Sequence, residues 1–146
     1  MGVCCFVVFL TLCWLLSPAL SEDGVKYRGR AYCKMCHSAK DKGWQETRHA
    51  KALDSLKKTH QHDLPDCVRC HVTGYGGTGG FIDHELTPEM AGVQCETCHG
   101  PGSKHKGGKS DIIAVPAEDK CRQCHTSGQD PKFDYKKKAA EVHGPR

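Results

Sequence analysis

The longest apolar run in the chain lies at its N-terminus. Residues 3–16 are apolar apart from Thr11, and the small residues of 17–21 follow directly. This order of an apolar core and small residues is typical of a secretory signal peptide and its cleavage site. No Lys or Arg precedes the run, so a retained anchor is the alternative, although a membrane-spanning helix needs about 20 apolar residues. We expect residues 1–21 to be a signal peptide and 22–146 to be one exported domain, periplasmic or otherwise outside the cytoplasm.

Beyond the leader, hydrophobic positions indicate only short helices. In residues 44–56 the apolar side chains recur at helical spacing on one face, which also carries His49, so we predict a helix there. Residues 116–120 resemble the acidic first turn of another helix, and residues 133–142 predict a last one. No segment has the alternation of a strand. The pattern predicts a mostly α fold with short helices, long loops and little strand.

Glycine marks two places where the chain must turn. Residues 74–80 contain five glycines, and Gly100 and Gly102 flank Pro101. Gly permits backbone conformations and close approaches that a side chain would block. We expect residues 74–80 to pass close to a bound group or another chain segment, with a flexible linker as the alternative.

The composition leaves too few aliphatic side chains for an ordinary core. From residue 22 onward only 15 of 125 residues, or 12%, are Leu, Ile, Val or Phe. Chains below about 20% normally bury too little apolar surface to offset their conformational entropy. Another group must therefore supply the core.

Cysteine spacing indicates what that group is. Of the 11 cysteines, the eight beyond the leader form four Cys-x-x-Cys pairs, and each pair is followed at once by histidine. Two thiols one helical turn apart can bond to the vinyl groups of one haem, while the adjacent imidazole binds the iron. The predicted attachment residues are Cys33, Cys36, Cys67, Cys70, Cys95, Cys98, Cys121 and Cys124, and the proximal iron ligands are His37, His71, His99 and His125.

Three other uses of cysteine explain the pattern less well. A disulfide framework suits an exported chain but leaves the four histidines unexplained. Zinc needs four ligands per ion, and a histidine next to a ligating cysteine fits a tetrahedron poorly. Thioredoxin-like pairs would require a βαβ pattern, which this sequence lacks. We therefore predict four covalently bound haem c groups in one tetrahaem domain, with the porphyrins supplying the core.

The haems also change the meaning of the charge. The formal net charge is +4, but each haem brings two propionates, about −2, against about +1 for a ferric centre. The oxidised holoprotein is then near neutral, and the basic sequence does not indicate a nucleic-acid partner. The lysines at 132 and 136–138 could dock an acidic redox partner, or could simply form a solvated helix face.

Three segments resemble one known family. Residues 66–81, with Cys-Val-Arg-Cys-His-Val-Thr-Gly-Tyr-Gly-Gly, residues 92–105, with Gln-Cys-Glu-Thr-Cys-His-Gly-Pro-Gly, and residues 47–52 are similar to the tetrahaem cytochrome c-554 family of periplasmic electron carriers. The resemblance implies a helical fold with closely stacked haems. It also implies bis-histidine ligation at three haems and an open axial position at the second.

The resemblance further implies which distal histidine serves which haem. His105 would complete the haem on His37, His49 the haem on His125, and His143 the haem on His99. The chain is shorter than the family pattern after the third motif, which affects His143 most. His60, His62 and His84 remain: any of them could close the second haem, or all could be surface residues.

We therefore expect an electron carrier rather than an enzyme. It would work between a donor dehydrogenase or quinol-linked membrane protein and a downstream reductase as terminal acceptor, with membrane attachment only if the leader is retained. One alternative is reduction of a small ligand, such as a nitrogen oxide, at an open haem on His71. The other is a subunit of an extracellular haem filament.

Overall fold

Short helices joined by long loops build the domain. The computed structural model describes residues 24–106 and 112–144, so the predicted signal peptide lies outside the described residues. In chain order the described helices are α1 (Arg30–Cys33), α2 (Ser38–Gln45), α3 (Ala52–Lys57), α4 (Pro65–Val68), α5 (Cys95–His99), α6 (Glu118–Arg122) and α7 (Tyr135–Ala139), with 3₁₀ turns at His49–Lys51 and Pro88–Met90. The described part of the chain has one isolated bridge, between Val72 and Ala91, and no longer strand. The prediction of a mostly α fold with little strand is confirmed. None of the described helices has the length and apolar character to cross a bilayer.

The helix predicted over residues 44–56 is interrupted. Helix α2 ends at Gln45, and α3 begins only at Ala52. Between them the hydroxyl of Thr47 donates to the carbonyl oxygen of Trp44 at 2.7 Å and accepts from the amide of Ala50 at 3.4 Å. A threonine side chain that bonds to nearby backbone in this way competes with continuous helix. The apolar spacing was correct, but the prediction of one helix was wrong.

The two later predictions fared differently. Helix α6 begins at Glu118 with two acidic residues in its first turn, as the sequence predicted. The helix expected over residues 133–142 is shorter, because the side chain of Asp134 accepts from the amide of Lys137 and so caps α7 at its start. The last turn of α7 ends at Ala139.

A small apolar cluster lies beside the second motif. It consists of Leu53, Leu56, Val68, Val72, Phe81 and Met90, with Tyr27, Cys67 and Ala91 packed against it. This cluster joins α3 and α4 to the 3₁₀ turn at Pro88–Met90. Its small size agrees with the low aliphatic content and leaves the remaining interior to bound groups.

A buried carboxylate organises the region around the third motif. Glu96 on α5 is 1% exposed. It accepts hydrogen bonds from the amides of Arg28 at 2.9 Å, Gly29 at 2.6 Å and Gly102 at 2.6 Å. Charge-assisted bonds of this kind are stronger than neutral ones. Glu96 therefore ties the N-terminal segment and the loop after α5 to the third motif.

The glycine-rich segment 74–80 wraps around Tyr27. The amide of Tyr27 donates to the carbonyl oxygen of Thr78 at 3.0 Å. At Gly74, where φ is 70°, a Cβ would lie 2.6 Å from Cγ of Tyr27. Both the positive φ and the contact require glycine. The predicted close approach to another chain segment is confirmed, and the flexible-linker alternative is wrong.

Candidate haem-binding centre

Each Cys-x-x-Cys-His motif forms one tight turn. Helix α5 contains the whole third motif, while α1, α4 and α6 carry the first cysteine of the other three. The amide of His37 donates to the carbonyl oxygen of Cys33 at 3.1 Å, and the amide of His125 to that of Cys121 at 3.0 Å. A turn of this size keeps two thiols close together and places the imidazole directly after them. This geometry fits attachment of the motif to one edge of a haem.

Six histidines form three facing pairs. The ring centroids of His37 and His105 are 6.3 Å apart with 16° between the planes, and those of His99 and His143 are 6.1 Å apart at 15°. The centroids of His49 and His125 are also 6.1 Å apart, at 62°. The structure thus brings together the same three pairs that the resemblance implies.

The separation within each pair is the one that a single metal ion requires. A metal–imidazole nitrogen bond is about 2.0–2.1 Å long, and the ring centroid lies about 1.1 Å beyond that nitrogen, so two imidazoles on opposite sides of one ion have centroids about 6.2 Å apart. Imidazoles in direct face-to-face contact would lie only about 3.5–4.0 Å apart. Each pair therefore leaves room for an iron atom between its rings.

Each of the three distal histidines is positioned by a contact between its backbone and a segment that is distant in the sequence. The carbonyl oxygen of His49 accepts from the amide of Val93 at 2.9 Å, and that of His105 accepts from the hydroxyl of Tyr32 at 2.9 Å. His143 lies against α2 at Gly43, where a Cβ would overlap the carbonyl oxygen of His143. Glycine at position 43 is thus what allows the C-terminal segment to approach.

His71 differs from the other proximal histidines. Its Nδ1 lies 2.7 Å from the carbonyl oxygen of Ala52 and 3.3 Å from the hydroxyl of Ser55. All ten histidines are among the described residues, and none of their rings faces that of His71. His62 and His84 contact each other instead. The second motif therefore has a proximal histidine without a facing one.

Cysteine contacts give the order in which the motifs adjoin. Hydrogen bonding to Cys95, followed by burial, raises the pKa of the Cys33 thiol, so the first motif touches the third. Burial raises the pKa of Cys98, and the neighbouring Cys121 raises it further, so the third motif lies beside the fourth. The fourth meets the second in the same way, because burial and a hydrogen bond to Cys70 raise the pKa of Cys124 to about 12. The spatial order is first, third, fourth, second.

Comparison with known proteins finds relatives among the multihaem cytochromes. Residues 32–100 match the family described as Cytochrome c554 and c-prime. The chain is a relative of the cytochrome c554 family in both sequence and fold. It is 36% identical over 121 residues to cytochrome c-554 of Nitrosomonas europaea, covering 72% of this chain and 51% of that protein. It is 37% identical over 79 residues to the multihaem cytochrome MtrA of Shewanella baltica, covering 45% of this chain and 23% of that protein.

A solved structure shows the same fold. The reduced state of cytochrome c554 from Nitrosomonas europaea superposes with a TM-score of 0.63 and 27% identity, covering 82% of this chain and 84% of the other. The chain nevertheless spans only about half the length of the curated cytochrome c-554 that it matches. These homologues are multihaem cytochromes, which implies covalently bound haem c and supports a general role in electron transfer.

In this protein, the outer nitrogens of two proximal imidazoles have different kinds of partner. Nδ1 of His99 lies 2.5 Å from the carbonyl oxygen of Ile113, whereas Nδ1 of His125 lies 2.9 Å from a carboxylate oxygen of Asp130. A bond through Nδ1 leaves Nε2 as the nitrogen that would bind an iron atom. His125 is thus held by a side-chain carboxylate, whereas His99 is held by the backbone. Sequence analysis missed Asp130; its position five residues after the proximal histidine was the available signal.

Burial keeps two distal histidines in the form that binds metal. Burial, and then the proximity of His125, lowers the pKa of His49. Burial also lowers the pKa of His143, with smaller effects from Lys40 and His99. Both imidazoles are therefore neutral at pH 7, with a nitrogen lone pair available.

Proposed function

We propose that this protein transfers electrons through four covalently bound haem c groups, between a donor dehydrogenase or quinol-linked membrane protein and a terminal reductase. The observation that carries the proposal is the set of three histidine pairs, each spaced for one iron atom. When bound, each haem supplies an iron that alternates between ferric and ferrous states. Residues 22–146 would act as one domain outside the cytoplasm, after removal of residues 1–21.

The residues divide into three roles. The eight motif cysteines attach the haems, and six histidines would hold three irons from both sides. In these three sites the iron would have no position left for a substrate, which suits electron transfer rather than catalysis. The proposed axial pairs are His37 with His105, His99 with His143 and His49 with His125, while His71 would be the single histidine on the remaining iron.

The order of the motifs supports a linear path. Since the first motif touches the third, the third the fourth, and the fourth the second, electrons would enter or leave beside the first and second motifs. The two ends would be the places where donor and acceptor proteins dock.

The lysines of α7 are a weaker guide to docking. Lys136, Lys137 and Lys138 are exposed, but Nζ of Lys138 lies 3.0 Å from a carboxylate oxygen of Glu141. α7 lies only four residues before His143, so a partner bound there would approach the third motif rather than an end of the path. If an acidic partner binds at α7, transfer should slow steeply as salt rises.

One observation favours a second function. Because no histidine faces His71, the iron bound there could take a small ligand such as a nitrogen oxide. Reduction of that ligand would add catalysis to electron transfer at the same end of the path.

The test is a coulometric titration of the purified holoprotein, with the haem absorbance recorded at each step. We expect each chain to take up four electrons. The reduced haems should be re-oxidised without any substrate being bound, and carbon monoxide should bind to one haem at most. Uptake of fewer than four electrons would refute the four-haem proposal. If the protein instead reduces nitrite or nitric oxide as fast as electrons are supplied to it, it is a reductase and not only an electron carrier.

A further inference from the structure

Outside the haem motifs, two loops bring three metal-binding side chains together. His62 and Asp63 lie in the loop between α3 and α4, and His84 lies in the loop that follows the glycine-rich segment. The rings of His62 and His84 are 5.0 Å apart and nearly perpendicular, at 77°. One donor atom from each of the three residues lies within 4.8 Å of the other two.

The distances within this cluster suit a shared metal better than hydrogen bonds. Nε2 of His62 is 3.6 Å from one carboxylate oxygen of Asp63, and Nδ1 of His84 is 3.5 Å from the other. A nitrogen–oxygen hydrogen bond is about 2.7–3.2 Å long. Two ligands about 2.0–2.1 Å from one tetrahedral zinc ion are about 3.4 Å apart. Each histidine thus stands at nearly the ligand–ligand distance from Asp63.

One of two unsatisfied histidine atoms points the same way. Nδ1 of His62 and Nδ1 of His84 are both buried without a hydrogen-bond partner among the described residues. A buried polar atom that is left without a partner destabilises the folded protein. A metal bound at Nδ1 of His84 would satisfy that atom. An ion pair between His84 and Asp63, whose side chain is 70% exposed, would recover little of the stability lost at the unpaired nitrogen.

Two neighbouring acidic residues lie beside the cluster but are not among its three ligands. Asp83 is occupied, because its Oδ1 accepts from the amides of Glu85 at 2.9 Å and Leu86 at 2.6 Å, a turn that fixes the backbone beside His84. A carboxylate oxygen of Glu85 lies 4.0 Å from Nε2 of His84 and adds negative charge at the rim. Two imidazoles and one carboxylate suit zinc and its neighbours in the first transition row, not calcium or magnesium.

We propose that His62, Asp63 and His84 bind one divalent transition-metal ion of the zinc class, with water as a further ligand. The ion would join the loop before α4 to the loop after the glycine-rich segment, on the two sides of the second haem motif. An imidazole held by this ion cannot also bind a haem iron. The site would therefore keep His62 and His84 away from the iron on His71.

The experiment uses oxidised holoprotein that has been stripped with a chelator and dialysed against zinc chloride. Bound zinc per chain is counted by inductively coupled plasma mass spectrometry. We expect one zinc ion per chain at micromolar free zinc, more than tenfold weaker binding in His62→Ala and His84→Ala, and unchanged binding in the matched control His60→Ala. Zinc below stoichiometric amounts, or equal binding in His84→Ala and His60→Ala, would overturn the proposal.

A second set of measurements distinguishes loss of the zinc site from misfolding and from loss of a haem ligand. Circular dichroism and the haem absorbance of each variant should match the parent protein, which shows that loss of zinc is local. Electron paramagnetic resonance should show the same number of low-spin haems in His84→Ala and the parent. If His62→Ala or His84→Ala instead converts a low-spin haem to high-spin, that histidine binds haem iron and the zinc proposal is wrong.

Discussion

The buried carboxylate of Glu96 gives the sharpest stability prediction. It accepts from three backbone amides, those of Arg28, Gly29 and Gly102, and these belong to two segments remote from each other in the chain. Glu96→Gln keeps the size and shape of the side chain. It replaces one acceptor oxygen with an NH₂ group. This donor group would then face backbone amides, which are also donors, so no hydrogen bond can form between them.

The magnitude follows from these contacts. At least one buried amide loses its acceptor, which costs about 1–3 kcal/mol, and the other bonds lose the charge that makes them roughly twice as strong as neutral ones. We expect a loss of about 2–4 kcal/mol in the free energy of unfolding. At about 3 °C per kcal/mol for a chain of this size, Tm should fall by roughly 6–12 °C.

Thermal unfolding of the oxidised holoprotein, followed by far-ultraviolet circular dichroism, measures this loss. Glu118→Gln is the matched control: that carboxylate bonds to Arg122 at 3.0 Å, its side chain is 51% exposed, and such pairs contribute about 1 kcal/mol or less. If Glu96→Gln lowers Tm by no more than Glu118→Gln does, the assigned role of the buried carboxylate is wrong.

Two further predictions concern redox tuning and the glycine-rich loop. Asp130→Asn removes the charge next to Nδ1 of His125 and should raise one haem midpoint potential by about 60 mV, the equivalent of a tenfold change in a one-electron equilibrium; spectroelectrochemical potentials unchanged from the parent would contradict this. Gly74→Ala should cost about 2–4 kcal/mol in unfolding free energy, because its Cβ would clash with Tyr27 at a position of positive φ. Gly76→Ala, also at positive φ but with open space around it, should cost only about 1 kcal/mol; equal losses in denaturant unfolding would show that the contact with Tyr27 is unimportant.

The sequence predicted the parts of this protein that depend on local chemistry. Cys-x-x-Cys-His specifies a turn, two thiols and a ligand within five residues, so no tertiary information was needed to recognise the motifs. The short helices, and the lack of strand in the part of the chain that the structure describes, followed from hydrophobic spacing. The break at Thr47 did not, because it depends on a side-chain hydroxyl that bonds to backbone on both sides.

Contacts between distant segments were beyond the sequence pattern alone. Spacing cannot show that His143 reaches His99, since that approach depends on Gly43 accepting the C-terminal backbone. The family resemblance supplied this pairing. Neither pattern nor resemblance placed His62 beside His84, because two separate loops bring them together.

Low-temperature electron paramagnetic resonance of the oxidised holoprotein, with spins counted against total haem iron, tests the central claim most directly. Three histidine pairs and an unpaired His71 predict three low-spin ferric haems and one high-spin haem per chain. Four low-spin haems would contradict the unpaired His71, and fewer than three would contradict the ligand pairs themselves.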